Sequence, residues 1–409
     1  MKTKLTLLGG AALLAVAGLG TATTVQAKET YGKGAPEFSD PDGNIKFKVR
    51  GRVQFDYVNL DQSDDDGGST EFNQTRTRRA RIGVEGQFDS KFKYKAEVTL
   101  NGKESDSGTA GAPGKEVQWE DAYIEYVGGS TWSVILGNQD QGYTLERLTS
   151  SRFSTNMERN MGDQAFGFGR TLGIGLMAGQ DNWGLSAFVN GDSMNNSDLA
   201  SGDESMEYRL HGYFTPVNTP TSLAYIGGTV RYRDAQDGAS FRYRSRPETN
   251  LGSRLVDTGA GYDEDTMYSV EAAGKMGPVY AQGEYTMLTA KGPAGLDDDF
   301  STYFVQAGWF VTGESRNYKG GKFDRLTPNS PVSEGGMGAW ELRGRYDFLD
   351  LNDNGNNGGE MTAYTLGVNW TPVKNVRFMG EYVNAESKER ALGDNYDADV
   401  IQFRAQFDW

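Results

Sequence analysis

KFKVRGRVQF, residues 46–55, alternates a cation with an apolar or small residue at nearly every step. Lys46, Lys48, Arg50 and Arg52 fall on one parity; Phe47, Val49, Gly51, Val53 and Phe55 fall on the other. Alternation at period two belongs to a strand with two unlike faces. The pattern returns in KFKYKAEVTL (91–100), where Phe92, Tyr94, Ala96, Val98 and Leu100 oppose Lys91, Lys93, Lys95, Glu97 and Thr99. It returns again in WELRGRYDF (340–348) and recurs to the last residue, while no helical period lasts beyond a few turns. The expected fold is all-β.

The first 27 residues read as a secretory signal: Lys2 and Lys4, an apolar run from Leu5 to Leu19, then Val25-Gln26-Ala27 as a small-residue cleavage site. The expected organisation is a signal peptide over 1–27 and one barrel over 28–409. No later segment approaches the roughly 18 consecutive apolar residues of a spanning helix. The chain has no cysteine and a single histidine, His211. That excludes a disulfide framework, a cysteine-based zinc or nucleophile site and a histidine-rich metal cluster, and no cofactor is expected. Export without disulfides points to the periplasm, outer membrane or exterior of a Gram-negative cell. A net charge of −15 argues against nucleic acid as a partner, because binding it needs a basic face.

Placing strands on the alternating runs gives about 16: 44–59, 73–88, 91–104, 117–127, 131–138, 167–179, 183–190, 205–214, 221–236, 264–276, 278–290, 299–313, 335–350, 361–371, 374–387 and 396–409. Connections alternate between tight ones, such as Asp89-Ser90 and Gly277, and long polar ones at 60–72, 105–116, 139–166, 191–204, 237–263 and 291–298. Short turns on one side and long loops on the other describe a transmembrane antiparallel β-barrel of the bacterial outer membrane. An even strand count puts both termini on the periplasmic side. The long segment 314–334 then falls there too, and is expected to fold up into the barrel.

A membrane barrel turns its apolar parity to lipid and its polar parity to the lumen. Lys46, Lys48, Arg50 and Arg52 are therefore expected inside, since a charge on the lipid face costs about 2–4 kcal/mol near the midplane. The same parity holds Arg79 and Arg81, Arg231 and Arg233, and Lys91, Lys93 and Lys95. Loop 237–263 carries FRYRSR, in which Arg242, Arg244 and Arg246 repeat every second residue. Extended arginines about 6–7 Å apart present forks of donors that suit phosphate or carboxylate. The alternative is pairing of these arginines with lumen acids such as Glu85, Glu97, Asp56 and Glu381. Connection 139–166 contains LERLTSSRFSTNMER, with Arg147, Arg152 and Arg159, and is too long for a plain hairpin loop. Acids concentrate at expected loop tips, where they are solvated or meet lipopolysaccharide.

RRARIGVEG (78–86), LERLTSSRFSTNMER (145–159), YFVQAGWFVTGESRNYKGGKF (303–323) and GAWELRGRYDFLDL (338–351) resemble the phosphate-selective porin O/P family of Gram-negative outer membranes. The final Phe403, Ala405, Phe407 and Trp409, on one parity, resemble the assembly signal of outer-membrane barrels. The resemblance implies a homotrimer of 16-stranded barrels with inward-folded loops and an inward periplasmic segment. It implies an anion pore with small inorganic anions such as phosphate as solutes. Arg242, Arg244, Arg246, Arg79 and Arg81 would form a ladder, Arg152 or Arg159 the constriction, and Lys91, Lys93 and Lys95 a lower lysine cluster. The competing functions are a general or cation-favouring porin and, remotely, a barrel hydrolase using His211.

Overall fold

The computed structural model describes residues 28–30, 35, 37–101, 117–195, 204–236, 239–259, 261–390 and 395–409. The expected signal peptide, residues 1–27, lies outside the described residues, as does connection 105–116.

Sixteen antiparallel strands follow one another round a closed barrel. They are β1 (Lys46–Asp64), β2 (Ser69–Phe88), β3 (Phe92–Thr99), β4 (Gln118–Val127), β5 (Trp132–Gln139), β6 (Thr171–Gln180), β7 (Trp183–Asn190) and β8 (Met206–Asn218). The second half comprises β9 (Ser222–Asp234), β10 (Glu264–Met276), β11 (Val279–Gly292), β12 (Leu296–Phe310), β13 (Ala339–Asp353), β14 (Asn356–Val373), β15 (Val376–Arg390) and β16 (Tyr396–Asp408). Each pairs with its neighbour in the chain, and β16 pairs with β1 from Asp408↔Arg52 to Tyr396↔Asp64. Closure gives each of the sixteen strands a hydrogen-bonded neighbour on both sides, as a sheet in lipid requires. A short strand, Glu37–Ser39, pairs with the lower end of β1, and Lys28–Thr30 pairs with that strand in turn.

Each of the sixteen expected strands is present. Two expected long connections are not: β1 and β2 run on to a turn at 65–68, and β11 and β12 meet through the single 3-10 turn Pro293–Gly295. Polar residues there continue the ladder beyond the membrane, so polarity marked the water boundary and not the end of the strand.

The outward parity is apolar and bare, with Leu366 68% exposed, Val270 63% and Leu136 61%. This is the lipid-facing band of a membrane barrel. Near the periplasmic rim Trp340, Trp370 and Phe378 stack in succession with centroids 5.4 Å apart. Amphipathic rings at this level mark the membrane interface.

The inward face departs from the expectation of a polar lumen. On its extracellular half, Met267, Leu288, Phe300, Leu349, Met361, Val383 and Val400 of β10–β16 point inward and are buried. Tyr243, Leu255 and Val256 of the loop after β9 pack on them with Phe166 from the loop after β5. Burial of each large apolar side chain contributes about 1.5–3 kcal/mol, so these loops form a core inside the barrel. The lumen on this side is filled by protein.

Segment 311–338 enters from the periplasm, as the strand parity requires. Its ribbon pairs Tyr318–Lys319 with Lys322–Phe323 around Gly320 and Gly321, whose φ values of 58° and 82° suit a two-residue turn that only glycine adopts freely. Phe323 N–H donates to Thr149 Oγ1 at 3.4 Å, and Arg316 Nη2 to the Phe153 carbonyl at 3.3 Å. The inward loop and the periplasmic ribbon thus meet inside the barrel.

Candidate functional site

The loop 140–170 is built by two short helices, α1 (Leu145–Leu148) and α2 (Met161–Ala165). Thr144 caps the first, and Asn160 accepts from Asp163 N–H at 2.9 Å to cap the second. Glu271 on β10 accepts the N–H of Leu145, and its other oxygen lies 2.9 Å from His211 Nε2 and takes the Tyr225 hydroxyl at 2.6 Å. His211 is therefore a buried anchor of the loop. Among the described residues no hydroxyl nucleophile bonds its ring.

Space remains along β1–β6, where three overlapping cavities descend through the barrel. The upper one, 490 Å³, is lined by Arg246, Arg254 and Arg170 above Arg78, Arg79 and Arg81. The middle one, 470 Å³, shares Arg78, Arg79, Arg81, Arg147 and Arg170 with it and adds Arg50, Arg52, Lys95, Arg152 and Arg159 from the wall and loop, with Lys322 from below. The lower one, 300 Å³, shares Glu85 and Tyr123 with the middle and carries Lys46, Lys48 and Lys93. Nine arginines and two lysines face six carboxylates in the middle cavity.

Most of these cations already hold a carboxylate. Arg50 pairs with Glu85 and lies 3.0 Å from Glu97. Arg52 reaches Ser151 Oγ at 2.7 Å and Glu97 at 3.4 Å. Lys48 lies 3.3 Å from Glu85, Lys93 3.5 Å from Glu125, and Lys95 pairs with Asp121. Arg79 donates to Gln54 at 2.9 Å and stands 3.7 Å from Glu158. Arg152 stands farther from its carboxylate, 3.8 Å from Asp408, and its Nε donates to Ser150 Oγ at 3.4 Å. Burial works against the Glu158 anion, yet Arg78, Arg79 and Arg404 hold its carboxyl well below the usual range.

Several expected positions need correction. Arg231 and Arg233 have the inward parity but line none of the three cavities. They sit behind the loop on Asp265, at 3.4 Å from Arg231 and 3.2 Å from Arg233 Nε, under the rings of Phe168 and Phe241. Of FRYRSR only Arg246 reaches the passage, because the ribbon lies with Tyr243 and Ser245 against the interior core. Arg242 is half exposed at the rim and forks onto Asp257 at 2.6 and 2.7 Å, and Arg244 lines none of these cavities. Lys91 lies exposed in the β2–β3 turn, outside the lower cavity. Arg159 lines the middle cavity, but its guanidinium is occupied by the carbonyls of Glu146, Arg147 and Thr149 at the end of α1, at 3.0–3.3 Å.

The profile of the phosphate-selective porin O and P family matches residues 47–409. The chain belongs to that family. Among its relatives, Porin O of Pseudomonas aeruginosa is 29% identical over 406 residues, covering 90% of this chain and 89% of the relative. An uncharacterized protein of Caulobacter vibrioides is 32% identical over 361 residues, covering 86% of this chain and 70% of the relative. Among solved structures the anion-selective porin from Comamonas acidovorans has the same fold, with a TM-score of 0.57 at 14% identity over 89% of this chain and all of that one. The protein is thus an outer-membrane porin, a channel.

Two features of this porin's passage escaped sequence reasoning. Arg78 has the wrong parity for the lumen, yet a β-bulge sets Arg79 and Thr77 against the adjacent Gln54 and Phe55 and turns Arg78 inward as well. It forks onto Glu158, Nε to Oε1 and Nη2 to Oε2 both at 2.8 Å. Arg170 sits in the connection just before β6 and meets Asp121 at 2.7 Å and Glu120 at 2.7 Å. Nothing in its local sequence signalled a passage residue.

Proposed function

We propose that this porin is a passive diffusion channel that favours anions, with phosphate or a phosphorylated solute as its substrate. The observation that carries the reading is the cation excess of the middle cavity, continued above and below it by further arginines and lysines. Guanidinium forks replace part of an oxyanion's hydration. Carboxylates already on those forks keep each site weak, and a chain of weak sites is what conduction needs. The phosphate-selective description of the family supports the same reading.

The assembly we propose is a homotrimer, reached by a precursor whose residues 1–27 direct export. Strands β3, β5 and β7 have eight residues each. Tilted by about 40°, each spans roughly 20 Å, less than the apolar band of about 25 Å. A second copy of the chain on the side of Ile124, Leu136 and Leu176 makes up the deficit.

Planar-bilayer recording in a salt gradient tests the channel reading. The expected result is an anion-preferring reversal potential, with chloride current blocked by millimolar phosphate, and a weaker block in Arg52→Ala and Arg79→Ala. A cation-preferring potential, or no effect of phosphate, would overturn it. The pairing of Arg50, Arg81 and Lys95 with Glu97, Glu120 and Asp121 favours the second reading, a general porin, in that event.

A further inference from the structure

Below the middle cavity a side chamber opens off the passage, apart from the lysine-lined lower cavity. It shares Arg152, Phe153 and Asp324 with the middle cavity and extends toward Arg316, Arg325 and Arg377. Its volume is 40 Å³. A water needs about 10–15 Å³ of such space, so one chloride-sized ion with a water fits.

The chamber's charges do not balance. Its walls carry five cations and three carboxylates, Asp324, Glu341 and Asp408. Two of the acids are heavily used: Asp408 pairs with Arg325, and Glu341 accepts from Tyr280 and Asn369 and lies 3.5 Å from Arg377. Arg316 is the residue left over. It is 5% exposed, and its guanidinium carbon lies 3.7 Å from the ring centroid of Phe323 and 4.6 Å from that of Tyr280. Nη2 donates to the Phe153 carbonyl, but Nη1 is buried without an acceptor. Among the described residues no carboxylate lies within ion-pair reach of it. A buried guanidinium with an unmet donor is costly unless an anion or water meets it, and water leaves the charge uncompensated.

We propose that this chamber holds a halide-sized monovalent anion on Arg316 Nη1, with Arg152 as the second cation, apart from the ions in transit. Such an ion would tie the inward loop to the periplasmic segment 311–338, since its two cations come one from each. The site stands on its own geometry and does not require phosphate selectivity.

Bromide-soaked crystals of the purified full-length porin test it by anomalous scattering. The expected result is a peak at hydrogen-bond distance from Arg316 Nη1, lost in Arg316→Met, while peaks near Arg52 and Arg79 remain. Methionine keeps a stem to pack on Phe323 and Tyr280. Peaks in the passage with none beside Arg316 in the wild-type protein would sink the chamber site and leave the channel reading intact. A chamber peak that persists in Arg316→Met overturns the assignment to Arg316. Phosphate block of the current is expected to be unchanged in Arg316→Met, so loss of block there would show that the chamber lies on the conducting path and overturn its separation from it.

Discussion

Arg78 and Arg79 adjoin in sequence and both reach the passage, which a straight strand forbids. The bulge between Thr77 and Arg79 resolves the conflict and puts a fourfold-contacted carboxylate, Glu158, at the centre of the positive wall. Removing that negative charge is expected to strengthen anion binding. In Glu158→Gln the phosphate block should tighten by roughly two- to fivefold, a modest Coulombic gain at an effective dielectric near 20 in screened solution. Single-channel titration with phosphate checks it. Arg242→Ala is expected to leave the same titration within about twofold of wild type, because exposed ion pairs are weak and Arg242 lies at the rim. Arg50, Arg52, Arg79 and Arg81 were legible from parity alone, whereas Arg78 was not. One extra residue in a ladder reverses the parity of all that follows, and its sequence has no mark of its own.

At the scale of elements, the loop after β9 was legible as arginine-rich but not as a plug. Alternation in FRYRSR separates two faces without saying which wall either one meets. The deciding signal lay in distant strands, where Phe300, Leu349 and Val383 occupy inward positions that a water-filled lumen would make polar. Only a covering segment explains them. Deleting residues 241–257 is expected to widen the passage and bare this apolar surface. Single-channel conductance should rise severalfold, and the folded band on unboiled gels should be lost at a lower temperature than in wild type. An unchanged conductance would mean that the loop does not limit the open cross-section. The inward periplasmic segment, by contrast, was legible, because an even number of strands left no other side for 314–334.

At the scale of the molecule, a chain of net charge −15 encloses a positive passage, so overall charge says little about what the interior prefers. The strand count and the order of strands were readable from periodicity because each strand repeats one two-faced rule. The filled side of the lumen was not readable, since it depends on contacts between strands and loops far apart in the chain. Removing Phe407, Asp408 and Trp409 takes away the pairs Phe407↔Val53 and Asp408↔Arg52 and the mutual backbone bonds of Trp409 with Gly51. The truncated chain is expected to yield little heat-modifiable folded protein in an outer-membrane extract, and a wild-type yield would refute that role for the seam. The same seam sets an order in time. Gln54 and Gln406, 352 positions apart, meet only when the last strand arrives, and contacts of such long range slow folding. The inward loop and the periplasmic ribbon must both be lodged by then, because a closed wall leaves the ribbon only the narrow lower mouth to enter by. Synthesis of the whole chain therefore precedes the step that makes it a pore, and an unfinished chain stays open-edged.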